Sequence, residues 1–302
     1  MSALQRDGGV DLLVTGRGAF RAQLTRMVLL NIHLLAGDEN LARIALVNVH
    51  ASRARVWLPV RGDTPAYIDG VRFEPGVLMT HRGGQCLHER TGGPSQWRVI
   101  SLSLDDLLRY GRIVAGASFA VPPGTWRWQP KPQTLRILTS LYDSAIRMNK
   151  QRPMVTVIAE AARGLENEVI HALVECMQDD MPPVAAAIPN PCAGILARFD
   201  ELIRADPCAR ASTRHLCAAL GVAEPVLEAC CDAFFGVGSY RYRHLRQLRL
   251  VRRALRDAGS GVPGVPEVAR RFGFDKPETF DAAYLEQYEE TPLTTLQRGA
   301  AH

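Results

Sequence analysis

A short helical unit occurs twice in the second half of this chain, as Leu216-Cys-Ala-Ala-Leu-Gly-Val222 and as Val268-Ala-Arg-Arg-Phe-Gly-Phe274. Each copy has a small residue on a short helix and then a Gly-containing turn. An aromatic anchor follows on the next helix, Phe234 after the first turn and Phe280 after the second. A small residue lets two helices cross closely, and glycine supplies the turn between them. Each copy therefore has the spacing of a helix-turn-helix unit.

Between the two copies the sequence predicts one long helix, Ser239 to Ala258, which follows a break at Gly236-Val-Gly238. Its apolar residues repeat at helical spacing and predict an inward face: Leu245, Leu248, Val251 and Leu255. The same helix carries seven arginines, at positions 241, 243, 246, 249, 252, 253 and 256. Two interpretations of these arginines stay open. They bind DNA phosphates, or they form a solvated face with salt bridges to acidic neighbours.

Two such units joined by a helix that carries Arg249-Leu250 resemble the DNA-binding domain of AraC-type transcription regulators. Gly273-Phe274 in the second turn and Thr291-Pro292 after the last long helix fall in the order and spacing of that family. The resemblance covers about Ser212 to Gln297. It implies that the second helix of each unit enters the major groove of double-stranded DNA, and that the linker helix sets the two units about one DNA turn apart.

By this resemblance the reading helices are about Glu224 to Phe235 and Pro277 to Tyr288. A reading helix normally offers Arg, Lys, Asn or Gln to base edges, whereas these two offer carboxylates, which accept from cytosine but repel phosphates. Residues 190 to 302 contain 15 basic and 14 acidic residues, a weak balance for a DNA-binding domain. The predicted DNA contacts are Arg241, Arg243, Arg246, Arg253, Lys276, Glu278, Thr279, Ala282, Pro225, Glu228 and Ala229.

The first half of the chain has a different pattern, because short apolar runs alternate with turn signals about every ten residues from Arg21 to Trp128. Such spacing favours a sandwich or barrel. Asp69-Gly-Val-Arg-Phe-Glu-Pro-Gly76 and Trp97-Arg-Val-Ile-Ser-Leu-Ser103 are similar to the cupin-like, jelly-roll sensor sheet that is common in the AraC family. Two helical patterns follow, at about 132–149 and 155–178.

A cupin-like barrel can bind a small-molecule effector between its sheets, and the candidate ligand-binding residues are Trp57, Tyr67, Trp97 and His88. The alternative is that the aromatic side chains only fill the core. His88-Glu89 invites comparison with metal cupins, but the HxH pair of those proteins is absent, so no metal is predicted. The sequence has no GxSxG, HExxH, P-loop or GxGxxG motif, so we expect neither an enzyme nor a cofactor.

These patterns together predict an α+β protein with four segments: a flexible tail at 1–19, a cupin-like sensor and dimerisation domain at 20–180, a Pro-rich linker at 181–191, and a tandem helix-turn-helix domain at 192–302. The composition, with 47% apolar and 22% charged residues, is typical of globular proteins. No apolar run reaches membrane-spanning length and no secretory signal is evident, which indicates a cytoplasmic protein. The seven cysteines include no CxxC motif, so neither disulfides nor structural zinc is predicted.

The function predicted from the sequence is transcription regulation, in which a cupin-like domain controls promoter binding by two helix-turn-helix units. A homodimer is expected, and both activation and repression remain open. The alternative is a degenerate AraC-like interaction protein, a co-regulator or anti-activator that binds another regulator or RNA polymerase and has weak or no affinity for DNA. A third hypothesis is a ligand-binding cupin with an accessory helical domain.

Overall fold

The computed structural model describes residues 9–59, 64–84, 86–151, 159–178, 191–206, 208, 211–257 and 264–299. Contacts between residues divide the chain into two units. The β-rich unit comprises Met1–Asp11, Ala22–Asn40 and Leu46–Pro189, and the helical unit comprises Leu12–Arg21, Leu41–Ala45 and Asn190–His302. None of the described helices is both long enough and apolar enough to cross a membrane.

The strands of the described residues form two sheets, whose orders are β1-β4-β9-β6-β7 and β11-β8-β5-β10-β3-β2. The strands are β1 (Val10–Val14), β2 (Ala22–Val28), β3 (His33–Glu39), β4 (Arg43–Asn48), β5 (Arg53–Leu58), β6 (Ala66–Ile68), β7 (Val71–Phe73), β8 (Leu78–Arg82), β9 (Cys86–Thr91), β10 (Ser95–Ser103) and β11 (Thr125–Trp128). In the six-stranded sheet β10 pairs antiparallel with both β3 and β5, and Val99 lies opposite Trp57. Because side chains alternate along a strand, Trp57 and Val99 lie on one face of this sheet, and Val56 and Ile100 lie on the other.

Three helices pack on one face of the six-stranded sheet: α1 (Leu104–Ala115), α2 (Pro132–Gln151) and α3 (Ala159–Gln178). Helix α1 begins where the Ser103 hydroxyl accepts a hydrogen bond from the amide of Asp106, which caps its free N–H groups. Leu138 and Tyr142 of α2 share a core with Val56 of the sheet. The two helices predicted after the strands correspond to α2 and α3, and residues 155–158 of the second prediction lie outside the described residues.

The helical unit contains α4 (Pro191–Ala205), α5 (Thr213–Leu220), α6 (Glu224–Phe235), α7 (Ser239–Arg256), α8 (Val265–Arg271), α9 (Pro277–Tyr288) and α10 (Pro292–Gly299). It has two apolar cores, and α7 contributes to both. Tyr242 and Leu245 belong to the core with α4, α5 and α6, whereas Leu248, Val251 and Leu255 belong to the core with α8 and α9. The predicted inward face of the long helix therefore contributes to both cores of the helical unit.

Part of the segment predicted as a tail is ordered against the helical unit. Strand β1 includes Leu13, which is buried in the core of α4 to α7. The side-chain amide of Gln287 donates to the Gly16 carbonyl at 2.7 Å, and the Gly18 amide donates to the Gln287 carbonyl at 3.0 Å. These hydrogen bonds fix residues 14 to 18, which composition alone could not show. Most of the Pro-rich linker lies outside the described residues, and α4 begins at its last residue.

The cysteine prediction needs a correction, because Cys192 of α4 and Cys230 of α6 form a disulfide with a Cα–Cα distance of 5.2 Å. The two residues are 38 positions apart in the sequence, so no short spacing motif announces the bond. Packing of α4 against α6 brings them together. The disulfide covalently links α4 to α6.

Candidate nucleic-acid interface

The first predicted helix-turn-helix unit corresponds to α5 and α6. The Ser212 hydroxyl accepts from the amide of His215 and caps the start of α5. Gly221 ends α5 in the left-handed region at φ 70°, and the Val222 amide returns to the Cys217 carbonyl, as in a Schellman turn. Pro225 lies in the first turn of α6, where its missing N–H costs nothing. The local sequence therefore defines both the end of one helix and the start of the next.

The second unit, α8 and α9, turns at Gly273, whose φ is 85°. A Cβ at this position would overlap the carbonyl oxygen of Cys208, so the turn requires glycine for space as well as for conformation. Gln247 of α7 donates to the Phe272 carbonyl at 2.9 Å and to the Cys208 carbonyl at 3.3 Å. The linker helix therefore holds the second turn directly.

Two of the predicted contact positions on helix α6 carry small, uncharged side chains. Pro225 and Ala229 are exposed, as predicted for contact positions. Glu228 is instead half-buried, and its carboxylate accepts from the amide of Ser239 at 3.1 Å and from the Ser239 hydroxyl. Ser239 is the first residue of α7, so the negative charge of Glu228 lies at a helix N-terminus, where it is stabilising. Glu228 therefore caps α7 rather than presenting its charge outward.

Helix α9 exposes an acidic face. Glu278, Thr279 and Ala282 are exposed, together with Asp281 and Glu286. The Thr279 hydroxyl donates to the Lys276 carbonyl at 3.0 Å, while the Lys276 side chain is exposed just before the helix. The predicted contact positions of this helix thus lie together on one surface, and that surface has more acidic than basic groups.

Three of the predicted phosphate-binding arginines of α7 make contacts inside the helical unit. Arg241 donates to the side-chain oxygen of Gln287 at 3.0 Å. Arg243 is buried and donates to the carbonyl of Ala211 at 2.5 Å, and burial lowers the pKa of its guanidinium. These bonds tie α7 to the segment before α5 and to the end of α9.

Arg246 belongs to a buried network with Asp200 of α4 and Tyr242 of α7. Its Nη1 lies 3.4 Å from Asp200 Oδ1 and donates to the Tyr242 hydroxyl at 3.0 Å, while that hydroxyl donates to Asp200 at 2.8 Å. Burial raises the pKa of Tyr242 and keeps the phenol protonated as a donor. The Arg246 side chain is 13% exposed. Of the four predicted arginines only Arg253 is exposed, with Asp257 at 3.5 Å.

The structure also identifies cations that were not predicted as contacts. Arg214 of α5 and Arg270 of α8 are exposed on the first helix of each unit. In a helix-turn-helix protein the first helix crosses the DNA backbone. The available signal was helical spacing, because Arg214 is two residues before the buried Leu216 and therefore lies on nearly the opposite side of the helix from it.

A surface cavity of about 590 Å³ lies among α5, α7 and the second turn. Ser212, Tyr240, His244, Lys276 and Thr279 are among its lining residues. Tyr240 is 73% exposed. Burial and the neighbouring Arg241 cation lower the pKa of His244, so its imidazole is neutral near pH 7. The cavity thus combines hydroxyl donors with a lysine beside the start of α9.

The β-rich unit has a second candidate site, between its two sheets. Arg55 of β5 and Glu89 of β9 are both buried and lie 3.4 Å apart, with the Arg55 guanidinium 5.5 Å from the Trp57 ring. The Trp57 indole N–H is buried and has no hydrogen-bond partner among the described residues. An unsatisfied buried donor beside a charged pair offers hydrogen bonds to a polar ligand.

The other ligand candidates do not converge on this point. Tyr67 lies opposite Arg90 in the β6–β9 pairing, one residue from the Ile68–Glu89 pair. By strand alternation Tyr67 and His88 therefore occupy the sheet face opposite to Glu89. Trp97 shares a face with Trp57, but its indole N–H already donates to Glu39 at 3.0 Å. In the described part of the chain no group of three or more His, Cys, Asp and Glu residues could hold a metal ion.

No known protein family matches this sequence, and no curated protein does. Solved structures similar to this chain include the AraC-like transcriptional activator CuxR, with 15% identity and a TM-score of 0.41 over 80% of this chain and 85% of that one. ToxT from Vibrio cholerae O395 aligns over 97% of this chain and 98% of its own, with 9% identity and a TM-score of 0.31. The xylose-binding transcription activator xylR aligns over 46% of this chain and 40% of its own, with 15% identity and a TM-score of 0.32.

Proposed function

We propose that this chain is a transcription regulator that binds promoter double-stranded DNA through its two helix-turn-helix units. The observation that carries the proposal is the repeated architecture of the helical unit. Each half turns at a glycine with positive φ, Gly221 in one and Gly273 in the other, and each leads into a helix with one exposed face. Helix α7 contributes to both cores, so the two reading helices are held by a common element.

The phosphate contacts in this proposal come from exposed cations around the reading helices: Arg214, Arg270 and Lys276, with Arg253 contributing from α7. All four side chains are exposed, and a phosphate contact needs an accessible charge. Arg241, Arg243 and Arg246 act instead by holding α7 in place, since their guanidinium groups bind acceptors within the unit.

Base contacts are assigned to Pro225 and Ala229 of α6 and to Glu278, Thr279 and Ala282 of α9. Small and methyl-bearing side chains favour contact with thymine methyl groups, and Glu278 can accept from the cytosine amino group. The acidic surface of α9 repels phosphates, so intrinsic affinity is weak and a homodimer, which doubles the contacts, strengthens it.

A salt titration tests DNA binding directly. Full-length protein is titrated against a fluorescent random duplex by anisotropy between 50 and 200 mM salt, and the logarithm of the affinity is expected to fall linearly with the logarithm of salt concentration. Lys276→Ala and Arg214→Ala should each lower the slope by about one unit. Arg109→Ala, an exposed arginine of α1 in the β-rich unit, is the matched control and should leave the slope unchanged. A native protein without salt-dependent binding would contradict the proposal.

A second experiment restores the usual chemistry of a reading helix. The double variant Thr279→Arg and Asp281→Ser removes one repulsion and adds a base or phosphate donor, so it should bind generic duplex at least about tenfold more tightly, or about 1.4 kcal/mol. Phe280, Tyr284 and Tyr288 keep the buried face of α9, so the fold should persist. If the native protein binds one promoter at nanomolar affinity and the double variant loses it, the acidic residues read bases.

One observation favours the alternative of an interaction protein, namely the exposed carboxylates of α9: Glu278, Asp281 and Glu286. Such a face is complementary to a basic surface on another regulator or on RNA polymerase. The salt titration separates the two functions, because only DNA binding requires release of counterions from the duplex.

The β-rich unit is assigned the sensing and dimerisation roles. Arg55, Glu89 and the unpartnered Trp57 N–H would bind a small polar effector between the sheets. Arg55→Met should abolish any change in DNA affinity that an effector produces without altering basal DNA affinity. Sedimentation at micromolar concentration tests the dimer.

A further inference from the structure

A groove of about 760 Å³ lies in the β-rich unit outside the space between its sheets. One wall is a side of α2, and the other includes Gln96 and Arg98 at the start of β10. Arg98 pairs with Leu58 of β5 and alternates with Val99, so it occupies the helix-covered face of the six-stranded sheet. The groove is therefore distinct from the site of Arg55 and Trp57, which are on the opposite face.

The polar side chains that α2 contributes to this groove follow one another along the helix: Arg136, Thr139, Ser140, Asp143 and Arg147. Arg136 and Arg147 are eleven residues apart, which is three turns, so both point to the same side of α2. The rest of the lining is mainly apolar, with Pro132 and Leu135 of α2 and three further prolines at positions 59, 75 and 130. A pocket of this size that combines an apolar wall with a few polar groups is typical of small-molecule sites.

The charges in the groove are unbalanced. Asp143, the one carboxylate in its lining, is 3.0 Å from Arg98 Nη2, and Arg98 also donates to the Pro59 carbonyl at 3.2 Å. Arg147 has only a neutral partner in the described residues, the Ser144 hydroxyl at 3.0 Å. The guanidinium of Arg136 forms no ion pair or hydrogen bond within the described ranges. Two arginines are therefore available to an anion.

The start of α2 adds to this positive potential. Pro132 opens the helix and lines the groove, and Arg136 is one turn further on. The N-terminus of a helix carries a partial positive charge. Ser140, one turn beyond Arg136, adds a hydroxyl that can donate to an anion. Charge, hydrogen-bond donors and an apolar wall thus meet along a single groove.

We propose that this groove binds a small organic acid, with its anionic group on Arg136 and Ser140 and its apolar body against Leu135 and the prolines. Arg147 stabilises the same anion or a second acidic group further along α2. A guanidinium binds a planar carboxylate through two parallel hydrogen bonds. The proposal concerns a ligand of the β-rich unit and does not depend on DNA binding by the helical unit.

The probe for the test is 8-anilinonaphthalene-1-sulfonate, an organic anion with an aromatic body, titrated into the full-length protein and followed by fluorescence. The uncharged analogue N-phenyl-1-naphthylamine reports apolar adsorption alone. We expect saturable binding of the sulfonate with one site, weakened about tenfold by Arg136→Gln and less by Arg147→Gln. Arg109→Gln on α1 is the control for loss of one exposed arginine of the same unit. Thermal unfolding of each variant confirms that it folds.

Three results decide the matter. The expected result is that Arg136→Gln weakens the sulfonate but leaves the uncharged analogue unaffected, and that Ser140→Trp, which fills the groove and keeps both arginines, weakens both probes. Equal sulfonate affinity in the native protein and in Arg136→Gln would overturn the proposal. Displacement of the sulfonate by inorganic phosphate at low millimolar concentration would also overturn it, because a bare anion would then suffice and the apolar wall would have no role.

Discussion

Replacement of Arg246 by Ala is expected to destabilise the helical unit rather than to remove a DNA contact. The Asp200 side chain is 2% exposed and lies 3.4 Å from the Arg246 guanidinium. Removal of one partner from a buried ion pair generally costs about 3 to 5 kcal/mol, because the other charge stays buried. Asp200 keeps the hydrogen bond from Tyr242, so we expect the lower end of that range, about 3 kcal/mol. With a urea m-value of about 2 kcal/mol per molar, the unfolding midpoint should fall by about 1.5 M.

The assay is urea unfolding of the full-length protein, followed by far-ultraviolet circular dichroism. Arg253→Ala is the matched control on the same helix, because that side chain is 76% exposed and pairs only with the exposed Asp257 among the described residues. It should change stability by less than about 0.5 kcal/mol. A double variant, Asp200→Asn with Arg246→Met, removes both charges and should recover much of the loss. If Arg246→Ala and Arg253→Ala unfold at the same midpoint, the buried network has no structural role.

Three further predictions concern single positions of the helical unit. Burial raises the pKa of Glu290, but the Thr295 hydrogen bond and the Arg252 cation lower it more, so the net pKa lies below the usual value. Native stability, measured as the urea unfolding midpoint, should therefore fall as the pH drops from about 5 to 3. Glu290→Gln should make that fall smaller. The disulfide between Cys192 and Cys230 closes a loop of 38 residues. Its reduction by dithiothreitol should therefore lower the free energy of unfolding by about 4 kcal/mol. Cys192→Ser should be destabilised by the same amount and should not respond to the reductant. Gly273→Ala should lower the free energy of unfolding by at least about 2 kcal/mol, because a Cβ there meets backbone atoms. Gly221→Ala has open space around it and should lower that free energy by about 1 kcal/mol through backbone strain alone. Equal decreases in melting temperature for the two variants would contradict the steric argument.

The sequence predicted local structure well where a single segment carries the signal. Gly221 and Gly273 indicated both turns, and the apolar spacing of α7 indicated its buried face. The exposed positions of α9 followed from the same periodicity, since Phe280 and Tyr284 define the inner side. In each case residues three or four apart decide the outcome, and helical geometry is the same in every protein.

Long-range partners could not be predicted in the same way. Glu228 was expected on the outer face of α6, yet its carboxylate caps a helix that starts eleven residues later. Arg246 was predicted to contact DNA phosphates, and the structure places its guanidinium 3.4 Å from Asp200 of α4, 46 residues away in the sequence. The sequence shows that a charged side chain lies on a helix, but it does not show which group that side chain will contact. Tertiary packing determines whether the partner is a protein group or a ligand.

The bonds between Gln287 and residues 14 to 18 make the helical unit discontinuous in sequence. Gln287 and Gly16 are separated by 271 positions, so ribosomal synthesis completes one partner long before the other emerges. Closure of so long a loop loses chain entropy, although each doubling of its length adds only about 0.6 kcal/mol. Such distant contacts slow folding, so docking of residues 14 to 18 against α9 should be among the last steps in folding of the helical unit. A fragment that starts at residue 190 would leave the Gln287 amide, 1% exposed, without these acceptors.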